Sequence, residues 1–136
     1  MIDTLHTARW RARSVMIALA FAVAGCAGME YGTAAGPADA EFVAMDVEGS
    51  KVWRGGQTID LKARGATPLM IKVTNSLGAD HGFSIDTMKV QEVIKPNEEK
   101  TITVPLENID PTVTDHKVDC QLHPKHVAAT LKVLGR

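Results

Sequence analysis

Residues 68–105 read PLMIKVTNSLGADHGFSIDTMKVQEVIKPNEEKTITVP, a succession of short apolar runs cut by turn residues. Leu69, Ile71 and Val73 alternate with Met70, Lys72 and Thr74, and the run ends in Asn75-Ser76-Leu77-Gly78. A period of two marks a strand with one buried face. Gly82 to Ile85 is a second run, Val90 to Ile94 a third and Thr101 to Val104 a fourth. Between the last two, Lys95-Pro96-Asn97-Glu98 is a strong turn signal, because Pro presets the turn backbone and Asn tolerates its unusual dihedrals.

The same grammar extends outward. Glu41 to Val47 alternates around Phe42 and Ala44 and turns at Glu48-Gly49-Ser50, and Lys51-Val52-Trp53 is a short strand that stops at Gly55-Gly56. Residues 106–112 suit a loop or one helical turn, His116 to Cys120 is extended, and Val127 to Leu134 is a last apolar strand. Short strands with turns between them, and no sustained helical period, argue for an all-β sandwich or barrel. Residues 41–136 form this domain. Hydrophobic residues make up 45% of the chain and aromatics only 4%, so the core is built mostly from Val, Ile, Leu and Ala. Trp53 is expected to pack in it.

Cys120-Gln121-Leu122-His123-Pro124-Lys125-His126 carries the chemistry. A thiolate and two imidazoles spaced C-x2-H-x2-H are a soft, nitrogen-rich donor set, suited to copper or zinc and not to magnesium or calcium. A further donor must come from elsewhere, and His81, at a loop–strand junction, is the candidate. His116 reads as a solvated strand residue, with Met88, Asp80 and Glu92 as accessory donors. No G-x-S-x-G, Walker, C-x-x-C or H-E-x-x-H sequence is present, so these hydrolase, nucleotide, dithiol and zincin chemistries have no support.

These residues resemble the cupredoxins, the small blue-copper proteins. The resemblance covers about residues 41–136 and implies a Greek-key β-sandwich holding one copper ion, with zinc as a lesser occupant. By that resemblance His81 matches the family's first histidine, Cys120 its thiolate and His123 its second histidine. The loop has the length and proline placement of the amicyanin type, C-x-x-H-P-x-M. His126 stands where the family has Met, and no Met follows Met88. His126 therefore becomes the fourth donor, which brings the chain nearer to the family's red copper variants with stronger axial ligands. The function implied is one-electron transfer to a redox partner protein, not catalysis. Cys120 would supply the covalent path and a loop histidine the exit. The alternatives are a copper carrier or store for metal tolerance or oxidase loading, and a copper site that reacts with nitric oxide or peroxide.

The N-terminus carries a different message. Arg9, Arg11 and Arg13 precede an apolar run from Val15 to Ala24, too short to remain as a span of about 18 residues or more. Val23-Ala24-Gly25-Cys26 then resembles a bacterial lipobox. The resemblance implies a signal peptide over residues 1–25, lipid attachment at Cys26, a flexible tether over residues 26–40 and residence on the periplasmic side of the envelope. Gly28 in place of an aspartate favours the outer membrane. The arginines are separated, so a twin-arginine signal is absent. The chain has 15 Lys+Arg and 16 Asp+Glu for a net charge of −1. Loss of residues 1–25 would remove three arginines and one aspartate and leave −3. That balance excludes a polybasic nucleic-acid binder. With Cys26 lipidated, Cys120 is an unpaired thiol in an oxidising compartment, which a metal would explain.

Overall fold

The computed structural model describes residues 37–135. The expected signal peptide, Cys26 and the expected tether as far as residue 36 lie outside the described residues. Among the described residues, regular structure begins with β1 (Ala40–Val47). Just ahead of it Asp39 donates its N–H to the Met70 carbonyl at 2.8 Å, and its carboxylate accepts the Met70 N–H at 2.7 Å and pairs with Arg64.

β1 turns into β2 (Ser50–Gly55) through Glu48 and Gly49, whose φ angles are 52° and 84°. Two consecutive positive φ values match the right-handed twist of a hairpin. After β3 (Thr58–Asp60), β4 (Leu69–Asn75) returns to pair in parallel with β1 and antiparallel with β7 (Glu99–Val104). This gives a four-stranded sheet in the order β2-β1-β4-β7. β5 (His81–Ile85) pairs with β6 (Val90–Ile94), and β9 (Ala129–Leu134) lies between β3 and β8 (Asp115–Val118). Ser84 and Asp119 exchange both backbone hydrogen bonds, at 3.0 and 2.9 Å, and so join these pieces into a second layer running β6-β5-β8-β9-β3. The parallel β1–β4 pair is connected through the opposite layer, and the two layers make the expected Greek-key β-sandwich.

The alternation read in β4 is realised: Leu69, Ile71, Val73 and Asn75 are buried while Met70, Lys72 and Thr74 are half-covered. Facing residues of the second layer, among them Phe83, Ile85, Ile94, Val118 and Leu131, complete the core. Trp53 is buried, as expected. Gly55 and Gly56 carry the chain from one layer to the other at φ 134° and 107°. A Cβ at these positions would lie 2.0 Å from the Glu41 carbonyl oxygen and 2.4 Å from that of Thr130. β3 escaped the sequence reading because three residues with one buried side chain have no measurable period.

His116 is a correction. It is fully buried, with Nδ1 2.7 Å from the Thr87 hydroxyl. β8 lies between β5 and β9, and its alternation turns His116 and Val118 inward and Asp115 and Lys117 outward. A strand that reads as half polar is thus covered on the histidine's side. Residues 106–112 do hold a single 3-10 turn, Leu106–Asn108. Among the described residues no helix is long and apolar enough to cross a membrane.

Candidate metal centre

The two-residue spacings of the last loop are turn spacings. The His123 N–H donates to the Cys120 carbonyl at 3.3 Å, and the His126 N–H donates to the His123 carbonyl at 2.9 Å. The segment is therefore two successive turns sharing His123. A turn of this kind brings its first and fourth residues within about 7 Å, and Pro124 sits where the second turn favours proline. The loop's far end is tied down as well: Val127 donates to the Lys51 carbonyl at 2.8 Å and accepts from the Trp53 N–H at 3.0 Å.

His81 arrives from the other side of the site as the first residue of β5. The loop before it is organised by the buried Asn75 side chain. Its amide donates to the carbonyls of Ala79 at 2.8 Å and Ile94 at 2.9 Å, and its oxygen accepts the Leu77 N–H at 2.9 Å. Asn75 was read from sequence only as the end of a strand. No local pattern shows that its side chain reaches Ile94, nineteen positions away.

The donor atoms converge. One donor atom each from His81, Cys120 and His126 lies within 4.8 Å of the others, and all three residues are buried. His81 Nδ1 is 3.1 Å from His126 Nδ1 and 3.8 Å from Cys120 Sγ. His123 Nδ1 approaches the same sulfur at 3.5 Å, from an exposed residue whose ring centroid is 4.5 Å from that of His81. In a tetrahedral centre with bonds of about 2.0–2.3 Å, ligand atoms stand roughly 3.3–3.8 Å apart. The His81–His126, His81–Cys120 and His123–Cys120 separations are close to that spacing, so a thiophilic ion fits the group of His81, Cys120 and His126, with His123 at its edge. Cys120 Sγ also accepts the Gly82 N–H at 3.3 Å.

Gly82 must be glycine for that contact. A Cβ there would lie 2.3 Å from the Gln121 side-chain oxygen and 2.9 Å from the Gln121 backbone nitrogen. The Gln121 amide crosses Gly82 to donate to the Glu92 carbonyl at 2.8 Å. The accessory donors named from sequence are not gathered at the site. Met88 is buried beyond the opposite end of β5 from His81, Glu92 pairs with Lys100 at 2.7 Å, and Asp80 is exposed.

Burial, with His126, His123 and Lys51 adding to it and Asp80 opposing, pushes the His81 pKa down to about 4. Burial likewise lowers that of His126, against a backbone hydrogen bond to Val52. Neutral imidazoles are the ligand form, so at neutral pH protons do not compete strongly for these nitrogens. A depression of about 450 Å³ opens over the site, lined by His81, His123 and His126 together with Lys51 and Lys125.

No protein-family profile and no curated protein matches the chain. Among solved structures it is similar to the laccase-like multi-copper oxidase CueO of Ochrobactrum sp., with 13% identity and a TM-score of 0.48 over 70% of this chain. It is also similar to a laccase of Pediococcus acidilactici, with 13% identity and a TM-score of 0.43 over 70% of this chain. The chain covers 26% of the length of each oxidase. The likeness is one of chain course, and the oxidase activities belong to those proteins.

Proposed function

We propose that the chain is a mononuclear copper-binding protein of the bacterial envelope that carries single electrons. One observation supports this above others: ligand atoms of His81, Cys120 and His126 converge within 4.8 Å of one another, with His123 Nδ1 3.5 Å from the same sulfur. Copper, when bound, supplies a one-electron couple. Copper stands above zinc in the Irving–Williams order, and a thiolate with imidazoles suits it. The protein's own contribution is to hold the donors. β5 fixes His81, two turns fix Cys120, His123 and His126, and the Gly82 N–H steadies the sulfur. A site held this firmly changes little between oxidation states, which keeps reorganisation small. His123, exposed and in contact with the sulfur, is the exit toward a partner protein.

The test is the visible spectrum of the copper-loaded chain. An intense band that vanishes in Cys120→Ser supports a copper thiolate. A band that survives the substitution, or uptake of colourless zinc alone in the presence of copper, overturns the reading.

A second reading, a copper carrier, draws on the depression that opens onto His81, His123 and His126. Rapid exchange of Cu(I) with a soluble chelator would favour the carrier, and slow exchange the electron-transfer protein.

The place of action rests on the lipobox-like sequence ending at Cys26. Mass spectrometry of the membrane fraction is expected to find a mature chain that begins at lipid-modified Cys26. A chain cleaved elsewhere with Cys26 unmodified removes the anchor from the proposal.

A further inference from the structure

Trp53 is 3% exposed, and its indole lies flat against the His126 imidazole. The ring centroids are 5.2 Å apart and the planes 10° from parallel. His126 in turn meets the His81 ring edge-on, at 4.9 Å and 87°. A histidine ring turns on a broad χ2 torsion with no sharp intrinsic minimum. Here one neighbour restricts it face to face and another at a right angle. The main chain adds to the restriction, since the Trp53 N–H donates to the Val127 carbonyl at 3.0 Å. Indole and loop are thus locked in one register.

The polar end of the indole takes no part. Trp53 Nε1 is buried with no hydrogen-bond partner, a cost that phenylalanine would avoid. What this residue brings to its position is a broad flat face. The indole also meets the Phe83 ring at near right angles, at 5.1 Å and 85°, which ties it to the core.

We infer that Trp53 is the positioning residue of the metal centre: its indole holds the His126 ring so that Nδ1 stays aimed at the space shared with His81 and Cys120. His126 is then a permanent donor and not a ring that swings in and out. This inference rests on His126 belonging to the copper donor set proposed above. Trp53 acts through His126 and touches no metal itself.

A double-mutant cycle isolates such an action. Trp53→Leu and Trp53→Phe are made in the native chain and in His126→Met, and the copper-loaded full chains are compared by visible spectrum and voltammetry. Trp53→Leu is expected to shift both spectrum and potential in the direction of His126→Met, and to add no shift once His126 is gone. Trp53→Phe, which keeps a flat ring, is expected to retain most of the native spectrum. A purely structural role would instead lower the urea midpoint in both backgrounds and leave the potential alone. If Trp53→Leu does not fold, Trp53→Met removes the ring with less loss of volume and reads the same quantity.

The inference is overturned if removal of the ring leaves the potential unchanged while His126→Met alters it. Equal shifts in both backgrounds overturn it too. A Cys120-dependent band that ignores His126→Met removes His126 from the donor set and the role of Trp53 with it. The absence of any such band on copper loading overturns the copper reading itself.

Discussion

An imidazole at position 126 is a stronger donor than the long, weak thioether that completes a blue-copper site, and it favours the oxidised ion. If His126 holds the copper proposed above, it would lower the reduction potential. His126→Met is therefore expected to raise the potential and to move the colour toward blue. A change of about 59 mV in a one-electron couple is a tenfold change in equilibrium constant, so voltammetry resolves even a modest effect. An unchanged potential and spectrum would show that His126 does not touch the metal. The candidate donors were legible as residue types, because a thiol and two imidazoles on one short loop make a soft donor set. Their helpers were not. Asn75 and Gly82 are ordinary turn and strand residues in the sequence, and Trp53 an ordinary core aromatic. Each acquires a role only through a neighbour far along the chain.

Spacing explains why one loop could be read so far, while β5 could be read as a strand but not for what covers it. C-x2-H-x2-H is local information, since each interval closes one turn. β5 is buried at every position from His81 to Ile85, although its sequence sets Phe83 and Ile85 against the small or polar Gly82 and Ser84. Gly82 and Ser84 are covered by Gln121 and Asp119 from other segments. This predicts the outcome of Gly82→Ala. The new Cβ meets the Gln121 backbone nitrogen at 2.9 Å, which a side-chain rotation cannot relieve. Overpacking of this kind typically costs about 1–3 kcal/mol. Urea unfolding is expected to show that loss, and the Cys120 band is expected to shift as the hydrogen bond to its sulfur lengthens. A variant with native midpoint and native spectrum would mean that the Gly82–Gln121 contact does not shape the site.

Three buried histidines give the folded chain one dependence on pH. His81, His116 and His126 all have pKa values lowered by burial, His81 to about 4, with Asp110 opposing the effect at His116. Unfolded histidines titrate near 6.5. Below that value the unfolded chain takes up protons that the fold refuses, so stability rises with pH through this window. The contribution is complete above about pH 6.5 and is lost as pH falls toward the folded values. The urea midpoint of the metal-free chain is expected to drop between pH 7.5 and pH 5. Copper should blunt that drop, because a ligand bound only to the fold stabilises it by mass action. A midpoint that is flat or rises on acidification would contradict the neutral, buried state of these rings.

Strand periods, turn residues and the sequence from Cys120 to His126 were enough for a β-sandwich with a candidate soft-metal loop. All of these are short-range patterns, written in residues a few positions apart. The joining of β5 to β8 through Ser84 and Asp119, the burial of His116 and the stacking of Trp53 on His126 had no such trace. They arise when segments distant in the chain close two layers over a common core. There the cost of burying a polar ring, or the gain from ordering one, depends on what packs against it and not on its neighbours in sequence. The convergence of His81 on a loop about forty residues later belongs with them, because register between strands, and not spacing along the chain, sets the distance between donors.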